Sequence, residues 1–123
     1  MKLIGKVFPS NKMTISVRDD DTYSGAHYYE FNNCKGFNNG ETEYTENKQS
    51  IQFIKKEDDN SIVEGIQSEQ LLIALIDRHK KLNDRFPSRE GSLAITKMEE
   101  ALHWLEARVK ERINRNIMGE LKK

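Results

Sequence analysis

The spacing of apolar residues changes character near residue 65. Upstream, apolar positions come in short runs or alternate with polar ones, the period of half-buried strands. Residues 2–8 and 13–17 are two such runs. Pro9-Ser10-Asn11 stands between them as a turn, which predicts a hairpin. Residues 27–31 are rich in aromatic side chains and suit a strand. Residues 32–47 are dense in Asn, Gly, Glu and Thr and read as a long loop. Residues 51–55 alternate around Ile51, Phe53 and Lys55. Glu57-Asp58-Asp59-Asn60 then turns the chain so that residues 61–63 can return as a short strand. Four or five short antiparallel strands are expected over residues 1–64.

Downstream the period becomes helical. Ser68 followed by Glu69 and Gln70 has the look of a helix start, with a hydroxyl cap and an acid in the first turn. Leu72, Leu75, His79, Leu82 and Phe86 then recur at three- and four-residue steps, predicting a helix over 68–85. Pro87 ends it, because the residue before a proline is pushed out of the helical region. Ser88 can cap a second helix, whose stripe is Met98, Leu102, Leu105, Val109 and Ile113, continuing to Ile117 with Gly119 as a stop. A connection this tight packs two amphipathic helices antiparallel. The expected fold is α+β: a small antiparallel β-sheet over residues 1–64, followed by a C-terminal antiparallel two-helix hairpin over residues 65–123. Ala94, Ala101 and Trp104 give the long helix a second, semi-apolar face, and a second copy of the chain is its simplest cover.

Composition adds two constraints. Charged residues make up 33% of the 123 positions and hydrophobic ones 36%, so the core is thin and association is a common remedy. The formal net charge is zero, which speaks against a general DNA, RNA or membrane-surface binder. The charge is uneven, however: residues 108–123 carry six bases and two acids. Cys34 is the one cysteine, which excludes an internal disulfide and fits a reducing compartment. No apolar run reaches the length of a membrane span.

The basic end contains Arg108, Arg112 and Arg115 at i, i+4 and i+7, a row about a quarter-turn from the apolar stripe. Glu111 can pair with Arg108 and Arg115 at helical spacing, the ordinary outcome for such a face. Arg112 has no acid three or four residues away, and a guanidinium fork suits a phosphate. The inter-helix segment from Phe86 to Ser92 is the second candidate. It supplies an aromatic ring, Arg89, two hydroxyls and the unpaired N–H groups of a helix start, which favour anions. A plain proline turn with a serine cap would look the same. Catalytic constellations are thin. His27, His79 and His103 sit in different elements without metal-ligand spacing, and Asp19-Asp20-Asp21 lacks a later acid at calcium-loop spacing. Glu99 and Glu100 point to different sides of their helix. No catalytic residue, metal site or cofactor is expected, and the chain does not read as an enzyme.

Three stretches carry a resemblance. They are Gln67-Ser68-Glu69-Gln70-Leu71-Leu72-Ile73-Ala74-Leu75-Ile76-Asp77-Arg78, then Phe86-Pro87-Ser88-Arg89-Glu90-Gly91-Ser92-Leu93-Ala94-Ile95-Thr96-Lys97, then Met98-Glu99-Glu100-Ala101-Leu102-His103-Trp104-Leu105-Glu106-Ala107-Arg108. Together they resemble the helical hairpin shared by the Thoeris anti-defence type-one proteins and the anti-CBASS type-two proteins of phages. The strand-rich first half favours the Thoeris branch, since the other is essentially helical. The resemblance implies a molecular sponge in the cytoplasm of the infected bacterial host, one that holds a cyclic nucleotide immune signal without cleaving it. For that branch the ligand is glycocyclic ADP-ribose, the assembly a dimer and often a hexamer, and cyclic di- or trinucleotides bind some members at a separate site. By matching position, Arg108 and Arg112 would grip the ligand's phosphates. The turn with Phe86 and Gly91 would frame the pocket, and Arg89 would serve the separate site. Gly91 stands where the family often has Asn. The alternative is a phage structural or protein-interaction module whose basic helix face meets an acidic protein.

Overall fold

A computed structural model of the chain describes residues 2–6, 16–19, 25–32, 34–44 and 49–121. Two compact units divide it, Met1–Ile66 and Gln67–Lys123. Among the described residues the first carries strands and turns and the second two helices with their connection, so the fold is α+β.

In the first unit, β1 (Lys2–Lys6), β2 (Ser16–Asp19), β3 (Tyr28–Asn32) and β6 (Gln49–Gln52) form a four-stranded antiparallel sheet in the order β1-β2-β3-β6. The expected first hairpin pairs Lys2 with Asp19 and Lys6 with Ser16, with an irregularity between Leu3 and Gly5. Its turn at Pro9-Ser10-Asn11, and Asp20-Asp21 after it, lie outside the described residues. β2 runs beside β3 with Val17 opposite Phe31, and β3 beside β6 with Tyr29 opposite Ile51. The Tyr29 and Phe53 rings meet edge to face with centroids 5.8 Å apart, the favoured aromatic geometry.

The stretch expected as a long loop holds a second hairpin, β4 (Cys34–Asn38) and β5 (Glu41–Tyr44). Asn39 and Gly40 turn it, with φ of 53° and 80°. Positive φ at both central residues is what a two-residue hairpin turn needs, and Asn-Gly is the pair that adopts it most readily. The polar composition of the flanking residues masks this turn at the level of sequence. A third pair, β7 (Lys55–Lys56) with β8 (Ile62–Val63), closes through the turn at Glu57, whose N–H donates to Ser61 O at 2.8 Å. Within that turn Asp59 accepts from the Ser61 hydroxyl and from its backbone N–H, and these bonds hold the Asp59 carboxyl below its ordinary pKa. Ile66 then lies parallel to Phe53, exchanging backbone bonds with Gln52 and Ile54 at 2.9 Å.

The second unit is the hairpin of α1 (Ser68–Arg85) and α2 (Arg89–Leu121). Gln67, not Ser68, caps α1, and its N–H donates to Gln70 Oε1 at 2.7 Å, which satisfies a donor at the helix start. Glu69 and Arg85 complement the helix dipole at opposite ends. Burial redraws the expected stripe on α1. Ile76 is buried, and Leu72, Leu75, His79 and Asn83 are half-buried. Leu82 is 40% exposed and Phe86 79%. Leu82 lies about 120° round the helix from Ile76, so Asn83 takes the inward place beside the turn instead. On α2 the inward row is Gly91, Ile95, Met98, Leu102, Leu105 and Val109, with Ile95 buried. The helix continues through Gly119 to Leu121 rather than stopping there; a glycine inside a helix costs only about 1 kcal/mol relative to alanine.

Ile76 and Ile95 are the buried hydrophobics of the described residues, each at 8% exposure. A seam with so few buried groups has no redundancy. Ile76→Ala and Ile95→Ala are therefore expected to lower the hairpin's stability by about 2–4 kcal/mol each, measured as a fall in the urea midpoint followed by helical circular dichroism. An Ala74→Ser change on the exposed side of α1 should leave that midpoint within about 0.5 kcal/mol.

Candidate functional site

Phe86, Pro87 and Ser88 join the two helices. At the end of α1 the Phe86 N–H still donates to Leu82 O at 3.0 Å, while Phe86 itself leaves helical geometry with φ of −132° and ψ of 75°. Ser88 opens α2. Its hydroxyl accepts the Gly91 N–H at 2.9 Å and its carbonyl accepts the Ser92 N–H at 3.1 Å, the arrangement of a serine N-cap. The cap expected from the sequence at Ser88 is therefore in place.

Asn83 closes the turn, a role its type alone did not signal. Its Oδ1 accepts the Ser88 N–H at 3.0 Å and its Nδ2 donates to Ser92 Oγ at 3.1 Å. One side chain at the end of α1 thus ties both the cap residue and the first turn of α2. Gly91 makes room for it. A Cβ there would stand 2.6 Å from Asn83 Oδ1 and 2.9 Å from Ser88 Oγ, closer than such atoms approach.

His79, Leu82, Asn83, Phe86, Ser88 and Gly91 surround a hollow of about 170 Å³ at this turn. Of the residues singled out from the sequence it unites Phe86 with Gly91. Arg89 is exposed on the first turn of α2 and is not among the lining residues. No carboxylate lines the hollow, and the Phe86 ring is largely open to a ligand. A second hollow of about 270 Å³ adjoins it through Leu82 and is walled by Arg78, Lys81 and Arg85, a basic group on α1 that no local motif marks. Lys81 is tied to Asp77 at 3.0 Å. A third, larger hollow of about 430 Å³ lies between the helices, floored by Ile73, Ile76 and Leu102. Its rim is ionic: Lys80 Nζ reaches Glu99 Oε2 at 3.4 Å.

The arginine row occupies a different place. α1 has 18 residues and α2 has 33, so α2 overshoots its neighbour by about 22 Å. Running back from the turn, α1 ends opposite about residue 106, and Arg108, Arg112 and Arg115 all fall on the overhang. All three are exposed. Arg115 Nε binds Glu111 Oε1 at 3.1 Å, the ordinary helical pair expected for it. Arg108 and Arg112, one turn apart, have no ion pair among the described residues. Trp104, 71% exposed, stands one turn before Arg108. From the first turn of α2 to Arg112 is about 35 Å along the helix axis. One hairpin therefore cannot bring the turn hollow and these arginines onto the same small molecule.

Among the described residues no group of three His, Cys, Asp or Glu side chains is arranged to hold a metal ion. No described helix is long and apolar enough to cross a membrane.

A family model described as the Acb2/Tad1 hairpin domain matches residues 45–110, a stretch that takes in α1, the turn and most of α2. The chain is also similar to Thoeris anti-defense 1 of Bacillus phage SBSphiJ7, with 43% identity over 56 residues. That alignment covers 45% of this chain and 39% of the phage protein.

The close fit at the turn is open to test. Gly91→Ala should force the Asn83 amide or the Ser88 hydroxyl aside and lower stability by about 1–2 kcal/mol. Ser88→Ala, which removes only the cap, should cost about 1 kcal/mol. Denaturant midpoints of the two variants and of their double mutant would show coupling between the sites, because both act on the same hydrogen bond.

Proposed function

The chain belongs to the Acb2/Tad1 hairpin-domain family, and from that premise we propose that it is a phage anti-defence sponge: it binds a glycocyclic ADP-ribose-type immune signal and withholds it, uncleaved, in the cytoplasm of the infected bacterium. The name of the similar phage protein, Thoeris anti-defense 1, supports the anti-defence role.

The observation that carries the reading is the separation of two unlike half-sites on one hairpin. At one end is a small hollow with an open aromatic ring, and at the other are Arg108 and Arg112, exposed and without an ion pair among the described residues. A nucleotide signal needs both kinds of contact, stacking for its base and cations for its pyrophosphate. Two copies packed antiparallel supply them together. The overhang of one α2 then reaches the turn of the other, and symmetry makes the site twice. Leu93 and Trp104, 48% and 71% exposed, lie within about 20° of each other around α2 and give that association an apolar face. Arg89, exposed beside the turn, is the cation we assign to a further cyclic-oligonucleotide site.

Like charges one helical turn apart repel mildly, by about 0.2–0.5 kcal/mol. A bound pyrophosphate relieves that repulsion and accepts charge-assisted hydrogen bonds from both guanidinium forks. Each such bond is worth about 1.5–3 kcal/mol. Arginine, unlike lysine, can present two parallel N–H groups to one phosphate. The role we assign to these groups is binding alone. Capture by affinity alone is enough for a sponge, and each tenfold gain needs about 1.4 kcal/mol.

Arg112→Ala and Arg108→Ala are each expected to weaken glycocyclic ADP-ribose binding at least tenfold in calorimetry, with Arg112→Ala the more severe, while the oligomer seen by native mass spectrometry is unchanged. Equal affinity in both variants and the parent chain would refute the assignment. Ligand recovered after incubation and denaturation should be chemically intact; a hydrolysed product would make the protein an enzyme. Wild-type protein that co-purifies with an acidic protein and no nucleotide mass would favour the protein-interaction reading instead.

A further inference from the structure

Asn83 is half-buried on the inward side of α1, and it lines the turn hollow together with His79, Leu82 and Phe86. A carboxamide offers two N–H donors and two acceptor lone pairs. The turn engages one of each, since Nδ2 donates to Ser92 Oγ and Oδ1 accepts the Ser88 N–H. One donor and one acceptor remain, on an amide that forms part of the hollow's wall. The amide is also held fast. Its two turn bonds fix its plane, and it lies so close over Gly91 that even a methyl group at that position would meet Oδ1. A group already held in place loses little conformational freedom when it binds, so its contacts count almost fully toward selectivity.

We propose that Asn83 is a specificity-determining residue, whose remaining donor and acceptor read the edge of an adenine-type base seated in the turn hollow. The chemistry favours that base class. An amide's donor and acceptor match an exocyclic amine beside a ring-nitrogen acceptor, the pairing by which Asn and Gln select adenine elsewhere. Phe86 offers the ring face on which such a base stacks. The absence of any carboxylate among the lining residues leaves nothing to repel the phosphates that follow the base. This assignment rests on the nucleotide-sequestering reading above and adds the side chain that chooses the base.

The test compares glycocyclic ADP-ribose with its hypoxanthine counterpart, in which a carbonyl oxygen replaces the exocyclic amine, by calorimetry on the full chain. The parent protein should prefer the adenine form by about tenfold. Asn83→Ala should bring the two affinities within about twofold of each other. Asn83→Asp is the same shape and keeps the acceptor for the Ser88 N–H, so the turn persists while the donor to the ligand is lost. The acceptor that meets the exocyclic amine is kept as well, so the adenine preference should persist while both ligands, which share the ring-nitrogen acceptor, bind more weakly. Ser92→Ala removes the turn's bond to Nδ2 and leaves the reading groups in place; it should retain the adenine preference. Loss of preference in Ser92→Ala equal to that in Asn83→Ala would overturn the proposal, since Asn83 would then act only through the turn. A preference lost in Asn83→Asp, which keeps the acceptor for the amine, would overturn it as well. If the parent chain binds neither ligand, the nucleotide reading itself fails, and that result is distinct from either of the others.

Discussion

Two helices of unequal length joined by a three-residue connection can bury only one stripe each, and the longer one must overshoot. Everything specific to the hairpin follows from this. The seam from Ile76 and Ile95 outward gathers the apolar residues that face each other, and α1 runs out opposite about residue 106 of α2. Beyond that point the residues of α2 have no α1 side chain to meet. The sequence has placed a dense run of basic charge there, as expected for a surface that meets something other than its own neighbour.

The turn obeys a second constraint, one of volume. Tight connection brings the last turn of α1 against the first turn of α2, where helix ends leave N–H groups without partners. Asn83 and Ser88 satisfy two of these with side-chain oxygens, and Gly91 yields the space. The residues that keep the helices together at this end are thus polar, while the ring and aliphatic side chains at Phe86 and Leu82 are left facing out. That inversion of the usual arrangement leaves a hollow walled by Leu82 and Phe86 together with the Asn83 and Ser88 side chains. A solvated turn with its apolar residues tucked inward would have no such site.

The two ends of the hairpin are complementary in chemistry and too far apart to cooperate within one molecule. Helical rise sets that distance, and no side-chain rearrangement shortens it. An assembly in which the ends of different copies meet uses the same rigid hairpin twice, once for its turn and once for its overhang. In the proposed assembly, self-association would complete the site as well as add stability to a thin core, and affinity for a ligand would be coupled to assembly by mass action.

Much of this was written in the local sequence. The period of the apolar residues fixed both helices, Pro87 and Ser88 fixed the turn between them, and the alternating runs fixed an antiparallel sheet before them, because these features depend on neighbours a few residues away. The spacing of Arg108, Arg112 and Arg115 likewise put them on one side of a helix, and the Glu111 pair was readable at the same range. What lay beyond local reach was decided by packing. Leu82 and Phe86 fit a helical stripe by number, yet the facing helix accepts Asn83 and Ile76 in their place, since rotation about the axis is set by the partner and not by the pattern. The Asn39-Gly40 hairpin hid inside a polar stretch because its strands pair through backbone bonds that composition does not advertise. Asn83 as the clamp of the turn, the room that Gly91 leaves for it, and the distance between hollow and arginines exist only once two separated segments occupy the same space.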